Sequence, residues 1–449
     1  MKTFQLTNNQ EKALSKLEQY LKDIEPNGVF VIRGYAGTGK TSIMSIIAVQ
    51  NRKRAILLAP TGRAAKVFKE ASGIHAATIH HHIYRSVISG GKLSFRLNKN
   101  PHEGVIYLVD EASLIQGGYT GNNLLNDLIK YVHSNRGNKL VLCGDPAQLP
   151  PVGMDLSPAL DEEYLEDFAG LMTQSSLIQE VIRQKQDSGI LKMATSLRSS
   201  TPDMNGNYQI NLREFPDVQR VQRNDVIELI EDEYAQNDVE NVMIITRSNK
   251  MAMRYNQYIR QRIMYREEEI ERDDILMVVK NNYYWPKESG RHSFIANGEM
   301  IRLIQPLRHE KLYGQSYLEA DVENLSEGKE FTVQLWLNTL YTDKPAMEYE
   351  QVKKVEEAVR EEMEQPVTKT ELKKELSSND FYQALQIKYA YAITCHKAQG
   401  GQWPVVFVDY EYLMDKTVDE AFIRWLYTAV TRATRKVYLV QFDENFFSE

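Results

Sequence analysis

Apolar residues along the chain fall into two recurring patterns. Residues 11 to 24 carry them at Ala13, Leu14, Leu17, Leu21 and Ile24, a spacing that lines one face of a helix behind a Thr7/Asn8 cap region. Elsewhere they come as short unbroken runs that end in a polar or Gly-rich turn. GVFVIRG precedes TSIMSIIAVQ, RAILLAP precedes TGRAAKVFKEASG, and VIYLVDEAS and KLVLCGDP follow. Runs of this kind alternating with helical segments predict buried strands in a parallel α/β sheet. NVMIIT (241–246), VVFVDY (405–410) and VYLVQF near the C-terminus resume the pattern and predict a second α/β domain.

Two stretches depart from it. SGGKLSFRLNKN, within 85–104, reads as a hairpin whose turn is supplied by Ser89, Gly90 and Gly91. DDILMVVKNNYYW, HSFIANGEMIRLI and the alternating FTVQLWL read as antiparallel strands of a small barrel-like domain, followed by a charged, mostly helical segment from Glu348 to Leu376. The predicted organisation is a first α/β domain over 1–84 and 105–178, a hairpin insertion at 85–104, a second α/β domain over 179–265 and 385–449, and a β-rich insertion with the charged helical segment at 266–384.

Composition narrows the class. A chain of 449 residues is long enough for several cores, and with 42% hydrophobic and 26% charged residues neither wholesale disorder nor a fibrous class fits. Cys143 and Cys395 cannot build a disulfide framework, so a reducing cytoplasm is expected. The start MKTFQLTNNQ lacks the basic-then-apolar order of a secretion signal, and no run of about 18 apolar residues occurs, so no membrane role is expected. The net charge of −7 argues against a nucleic-acid partner until it is located. Much of the acid lies in 266–274 and 348–375, which leaves room for a local basic groove.

The chemistry begins at Gly34-Tyr-Ala-Gly-Thr-Gly-Lys40-Thr41, a G-x-x-x-x-G-K-[ST] match set between a strand and a helix. Glycines let backbone N–H groups wrap phosphates, Lys40 neutralises β/γ charge, and the Thr41 hydroxyl reaches Mg²⁺. Phosphoryl transfer also needs a metal carboxylate and a group to position water. Asp110, ending the run IYLV, suits the first and Glu111 the second. An isolated Asp-Glu pair is usually a solvated loop feature; directly after a buried strand and downstream of a phosphate loop it becomes specific. Gln148, on the Pro-bounded turn GDPAQLPPV, could touch the γ-phosphate, the plainer alternative being a surface turn.

Gln10, GYAGTGKT, APTGRAA, TIH, VDEAS, GDPAQLPPV, EVIRQ, YAITCHKAQG and YTAVTRA, running in this order from Gln10 to Ala433, resemble the motif series of superfamily 1B helicases, most closely the RecD-like and Dda-like group. The signature of the eukaryotic mitochondrial and telomeric branch is absent, and the resemblance implies 5′-to-3′ travel. It implies two RecA-like motor domains, with the hairpin inserted in the first and an SH3-like domain in the second. ATP and Mg²⁺ would be the cofactors, with Thr41 and Asp110 as metal ligands. The catalytic set would be Lys40, Glu111, Gln148, Arg183 and Arg432, the two arginines reaching the γ-phosphate. Nucleotide binding would fall to Gln10, which would contact adenine, and to Gly34, Ala36, Gly37, Thr38, Gly39, Lys40, Thr41, Ser42, Asp110 and Gly400. Pro60, Thr61, Arg63, Thr78, His80, Thr394, His396 and Lys397 would bind single-stranded DNA, with Lys66 just beyond the first group and Phe95 as the candidate wedge tip, anchoring of the hairpin to its own domain being the alternative for Phe95. His80, His81 and His82 are consecutive and lack ligand spacing, which favours structural or strand-binding roles over a metal site.

The resulting expectation is an ATP-dependent helicase that moves on single-stranded DNA and unwinds forked duplex. It is expected to act as a monomeric, nucleoid-associated motor, with replication or repair proteins as candidate partners. Two alternatives share most of the residues: an RNA or RNA–protein remodelling ATPase, and a nucleotide-gated, non-translocating subunit of a nuclease complex. A small-molecule kinase fits less well, because it has no use for second-domain arginines or strand-binding segments.

Overall fold

The computed structural model of the chain describes residues 6–23, 27–89, 92–118, 123–181, 188–202, 208, 211–282, 284–285, 295–363, 366–411 and 418–447, apart from the side chains of 86–89, 92–95, 168 and 445. Ile24, Gly90, Gly91 and Arg183 lie outside the described residues, as do the side chains of Ser89 and Phe95. The chain divides into two compact units. One comprises Met1–Ile83, Asn98–Gln236 and Ala398–Glu449; the other comprises Tyr84–Leu97 and Asn237–Lys397.

The first unit is built on a six-stranded parallel sheet in the order Ala76–Thr78, Ala55–Ala59, Ile106–Val109, Lys139–Gly144, Gly28–Gly34 and Met172–Ile178. Val29 to Ile32, Leu108, Val109 and Leu140 to Cys143 are wholly buried, as the unbroken apolar runs require of strands covered on both faces. The helix Asn8–Lys22 starts in a capping box: Thr7 accepts from the Gln10 N–H, and Gln10 Oε1 accepts from the Thr7 N–H at 2.9 Å. Its Ala13, Leu17 and Tyr20 enter the core formed by Phe30, Ile43, Met44, Ile47 and Phe68. The same unit holds a parallel set of Trp403–Asp409, Ala433–Val440 and Val218–Val221. Its helix Glu420–Val430, capped by Asp419, is buried along most of its length.

In the second unit Val242–Thr246 pairs in parallel with Ala392–Thr394. The β-rich segment closes into a barrel of Ile275–Val278, Met300–Leu312, Gln315–Asn324, Lys329–Trp336 and Leu385–Tyr389. The last of these strands, counted from sequence with the second α/β domain, pairs antiparallel with Ile275–Val278 and parallel with Lys329–Trp336. Its backbone hydrogen bonds are thus spent on closing the barrel. The charged segment forms two helices, Tyr349–Glu362 and Lys369–Ser378, whose Val355, Val359, Leu372 and Leu376 pack on Tyr317 and Trp336 of the barrel. Its charge is the solvated face of an ordinary amphipathic pair. Tyr84–Ser89 and Lys92–Leu97 form the expected antiparallel hairpin. The α/β class, the parallel sheets, the hairpin and the barrel insertion all match the fold anticipated from sequence. No helix among the described residues is long and apolar enough to cross a membrane.

Candidate active site

The sheet order explains the site. Gly28–Gly34, Lys139–Gly144 and Ile106–Val109 are successive parallel neighbours, so the loops leaving their C-terminal ends lie side by side. These loops carry the phosphate loop, Asp145 to Gln148, and Asp110 with Glu111. Gly37 and Gly39 have φ of 74° and 77°, the left-handed backbone that lets the loop turn its amides inward before the helix Lys40–Gln50 begins. A side chain at either position would be strained.

Hydrogen bonds define the loop's shape. The Gln10 side chain, buried by its capping box, donates from Nε2 to Thr38 O at 2.7 Å and ties the first helix to the loop. Thr38 Oγ1 donates to Tyr35 O at 2.7 Å. Lys40 Nζ donates to the same carbonyl at 2.9 Å and lies 3.7 Å from Asp145 Oδ2. Thr41 Oγ1 donates to Asp110 Oδ2 at 2.8 Å, while Asp110 Oδ1 accepts from the Glu111 N–H at 2.9 Å.

Glu111 adopts φ 53°, uncommon for a residue with a side chain. Burial pushes its carboxyl above the usual range, opposed by the nearby Arg432 guanidinium. Burial likewise raises Asp110, opposed by the Thr41 hydroxyl and the Glu111 N–H. Among the described residues, Glu111 Oε2 and Gln148 Oε1 are buried oxygens with no hydrogen-bond partner. A polar ligand with water or a cation is what such orphan atoms call for, so the donor set fits a metal-bound nucleotide.

Arg432 is 3% exposed and donates to Thr428 O, Gly401 O and Thr431 Oγ1. Ser42 continues the loop into its helix. Gly400, at φ 74°, lies where a Cβ would come within 2.8 Å of Thr61 Oγ1, so it packs on the APTGRAA segment. The next motif residues on this unit are equally well seated. Pro60 follows the strand Ala55–Ala59, Thr61 caps the helix Gly62–Ser72 by accepting from the Ala64 N–H, and Arg63 lies 3.9 Å over the Trp403 ring. Thr78 Oγ1 accepts from the His81 N–H at 3.2 Å. Burial lowers His80; His82, half-buried, packs edge-on to Tyr107 and Tyr131, and burial pushes its imidazole down to about 4. In the second unit Thr394 pairs with Thr246, His396 is exposed, and Lys397 bonds Asn297, with burial lowering its ammonium to about 8.

Two residues of the site were not singled out from sequence. Tyr427 Oη accepts from the Ala36 N–H at 2.8 Å and donates to Asp145 Oδ2 at 2.8 Å. Both lie inside quoted motifs, yet Tyr427 reads as one more apolar position of a buried helix and Asp145 as part of a turn.

Comparison with known proteins places these features in context. Residues 5–215 match the model of an AAA domain and residues 389–440 that of a UvrD-like helicase C-terminal domain. The chain is similar to the ATP-dependent RecD2 DNA helicase of Deinococcus radiodurans, 29% identical over 209 residues, which cover 45% of this chain and 26% of that protein. It thus spans about a quarter of that relative's length. Uncharacterized protein R530 of Acanthamoeba polyphaga mimivirus is 22% identical over 95% of this chain and 98% of its own. Among solved structures, Pif1 helicase from Bacteroides in complex with ADP-AlF3 and ssDNA aligns with a TM-score of 0.51 at 15% identity, covering 99% of this chain and 95% of that one. At that identity the likeness is one of fold.

Proposed function

We propose, from the premise that this chain belongs to the superfamily 1B helicases of the RecD/Pif1-like kind, that it is an ATP-hydrolysing DNA helicase moving 5′-to-3′ on single strands and opening forked duplex. The observation that carries this reading is the gathering of Lys40, Thr41, Asp110, Glu111, Gln148 and Arg432 around one phosphate loop, with Asp110, Gln148 and Arg432 buried.

Thr41 and Asp110 would hold Mg²⁺, which supplies charge neutralisation to the phosphates. The amides around Gly37 and Gly39 with Lys40 would cradle the triphosphate, and the remaining Nε2 hydrogen of Gln10 is left for adenine. Glu111, short of a partner and raised by burial, suits a base that accepts a proton from water. Gln148 would orient that water or the last phosphate, and Arg432 would balance the charge that develops there. Arg183 and Gly400 join the site by resemblance.

Pro60, Thr61, Arg63, Thr78, His80, Thr394, His396 and Lys397 are proposed to hold the strand through phosphate contacts and stacking, without sequence readout. Phe95 is proposed as the wedge that parts the duplex. The working form is proposed to be a monomer serving replication, repair or recombination.

Unwinding of matched 5′-tailed and 3′-tailed duplexes tests the reading. The 5′ tail should be required; preference for a 3′ tail overturns the polarity. Stronger ATPase stimulation by RNA than by DNA oligomers would move the substrate to RNA. Failure to displace streptavidin from an end-labelled strand would reduce the protein to a nucleotide-gated clamp.

A further inference from the structure

The phosphate loop bonds to the helix Glu420–Val430. Ala36 N–H, one of its backbone donors, is taken by the hydroxyl of Tyr427 at 2.8 Å. That hydroxyl donates in turn to Asp145 Oδ2 at 2.8 Å, and the same carboxylate oxygen lies 3.7 Å from Lys40 Nζ. Asp145 is fixed from its other side, since Oδ1 accepts from the Ala147 N–H at 2.9 Å. Tyr427 is 1% exposed, and burial beside Asp145 keeps its phenol protonated. An amide and a lysine suited to phosphate are therefore both satisfied from within the protein. One carboxylate links them.

Tyr427 also connects this chain of bonds to the rest of the site. It lies on the helix Glu420–Val430, whose next residue, Thr428, accepts from the Leu149 N–H at 2.8 Å and so anchors the turn that carries Gln148. Arg432 follows the same helix and donates back to Thr428 O. An incoming phosphate that draws Lys40 away from Asp145 and competes for Ala36 N–H acts on the residue that anchors this helix.

We propose that Tyr427 is a positioning residue that couples the phosphate loop to the helix carrying Thr428 and leading to Arg432: its hydroxyl, bonded to Ala36 N–H and Asp145, competes with a phosphate for the loop, and nucleotide binding that displaces it shifts that helix. This rests on the nucleotide-motor reading above. Tyr427→Phe removes the hydroxyl with little change of shape. Loss of one competing hydrogen bond should make the variant bind mant-ADP about 3- to 10-fold more tightly than the full wild-type chain. The KM for ATP without DNA should fall by a similar factor, and the stimulation of kcat by oligo(dT) should shrink, because loop and helix are no longer coupled. A merely structural hydroxyl would lower the melting temperature and leave nucleotide affinity alone.

The decisive measurement is mant-ADP titration of both proteins, with ATPase rates with and without oligo(dT). Equal or weaker binding by a folded Tyr427→Phe, with KM unchanged, overturns the sensor. If the variant melts at too low a temperature to titrate, hydrogen exchange on the wild-type chain decides. Saturating ADP should speed exchange in the peptide spanning Glu420–Val430, and unchanged or slower exchange overturns the proposal. Wild-type chain that neither binds mant-ADP nor hydrolyses ATP defeats the motor reading and the sensor with it. Wild-type chain that does both while Tyr427→Phe is indistinguishable from it defeats the sensor alone.

Discussion

Thr41 Oγ1 donates to Asp110 Oδ2 across 2.8 Å, joining residues 69 positions apart in the chain. A hydroxyl and a carboxylate side by side at such a loop would offer two oxygen ligands to one hard cation, with water and phosphate completing its shell. Asp110→Asn should lower Mg²⁺-dependent ATP hydrolysis about 10²- to 10³-fold. Its mant-ADP binding measured in EDTA should match wild type. Equal loss of binding with and without Mg²⁺ would argue against a metal ligand.

Glu111 combines a left-handed backbone, burial and a carboxylate oxygen with no partner among the described residues. Glu111→Gln keeps the shape and removes the base. Turnover should fall about 10²- to 10⁴-fold while nucleotide and oligo(dT) binding persist. Turnover within a few-fold of wild type would assign the proton to another group.

Lys40 is held by the Tyr35 carbonyl and faces Asp145, so its charge is available at the loop and at no other described carboxylate within salt-bridge distance. Lys40→Ala should abolish strand-stimulated ATP hydrolysis and weaken nucleotide binding, with oligo(dT) binding retained in part. Undiminished turnover would remove the phosphate loop from the mechanism.

Lys397 gives a pH dependence. Burial lowers its ammonium to about 8, so the cation is present below that pH and lost as pH rises through it. Oligo(dT) affinity by fluorescence anisotropy should therefore fall between about pH 7 and 9, by roughly the worth of one phosphate contact. Lys397→Arg, which stays charged throughout, should flatten the profile. The same pH dependence in both proteins would show that another group titrates.

Arg260 meets Asp274 through two hydrogen bonds of 3.0 and 2.8 Å, and Tyr391 donates to the same carboxylate at 2.7 Å, all buried beside the barrel. Removing one partner strands a buried charge. Arg260→Met should cost about 3–5 kcal/mol in urea unfolding. A loss below about 1 kcal/mol would mean that water reaches Asp274.

Sequence alone determined the elements and their chemistry wherever local rules suffice. Unbroken apolar runs located the parallel strands, because burial on both faces leaves no polar positions. The phosphate loop and Asp110–Glu111 were legible because their function depends on residue type at a fixed place beside a strand end. The charged stretch from Glu348 was legible as helix; its packing on Tyr317 and Trp336 was not, since an apolar stripe does not name the surface it covers. Only the tertiary structure decided that Leu385–Tyr389 closes the barrel, that His82 is half-buried against Tyr107 and Tyr131, and that Tyr427 and Asp145 bond at the Gly34–Thr41 loop. The reason is common to all three. Each depends on hydrogen-bond partners and desolvation contributed by segments far away in the chain, and a one-dimensional pattern records which residue can donate or accept but not which partner the fold brings to it.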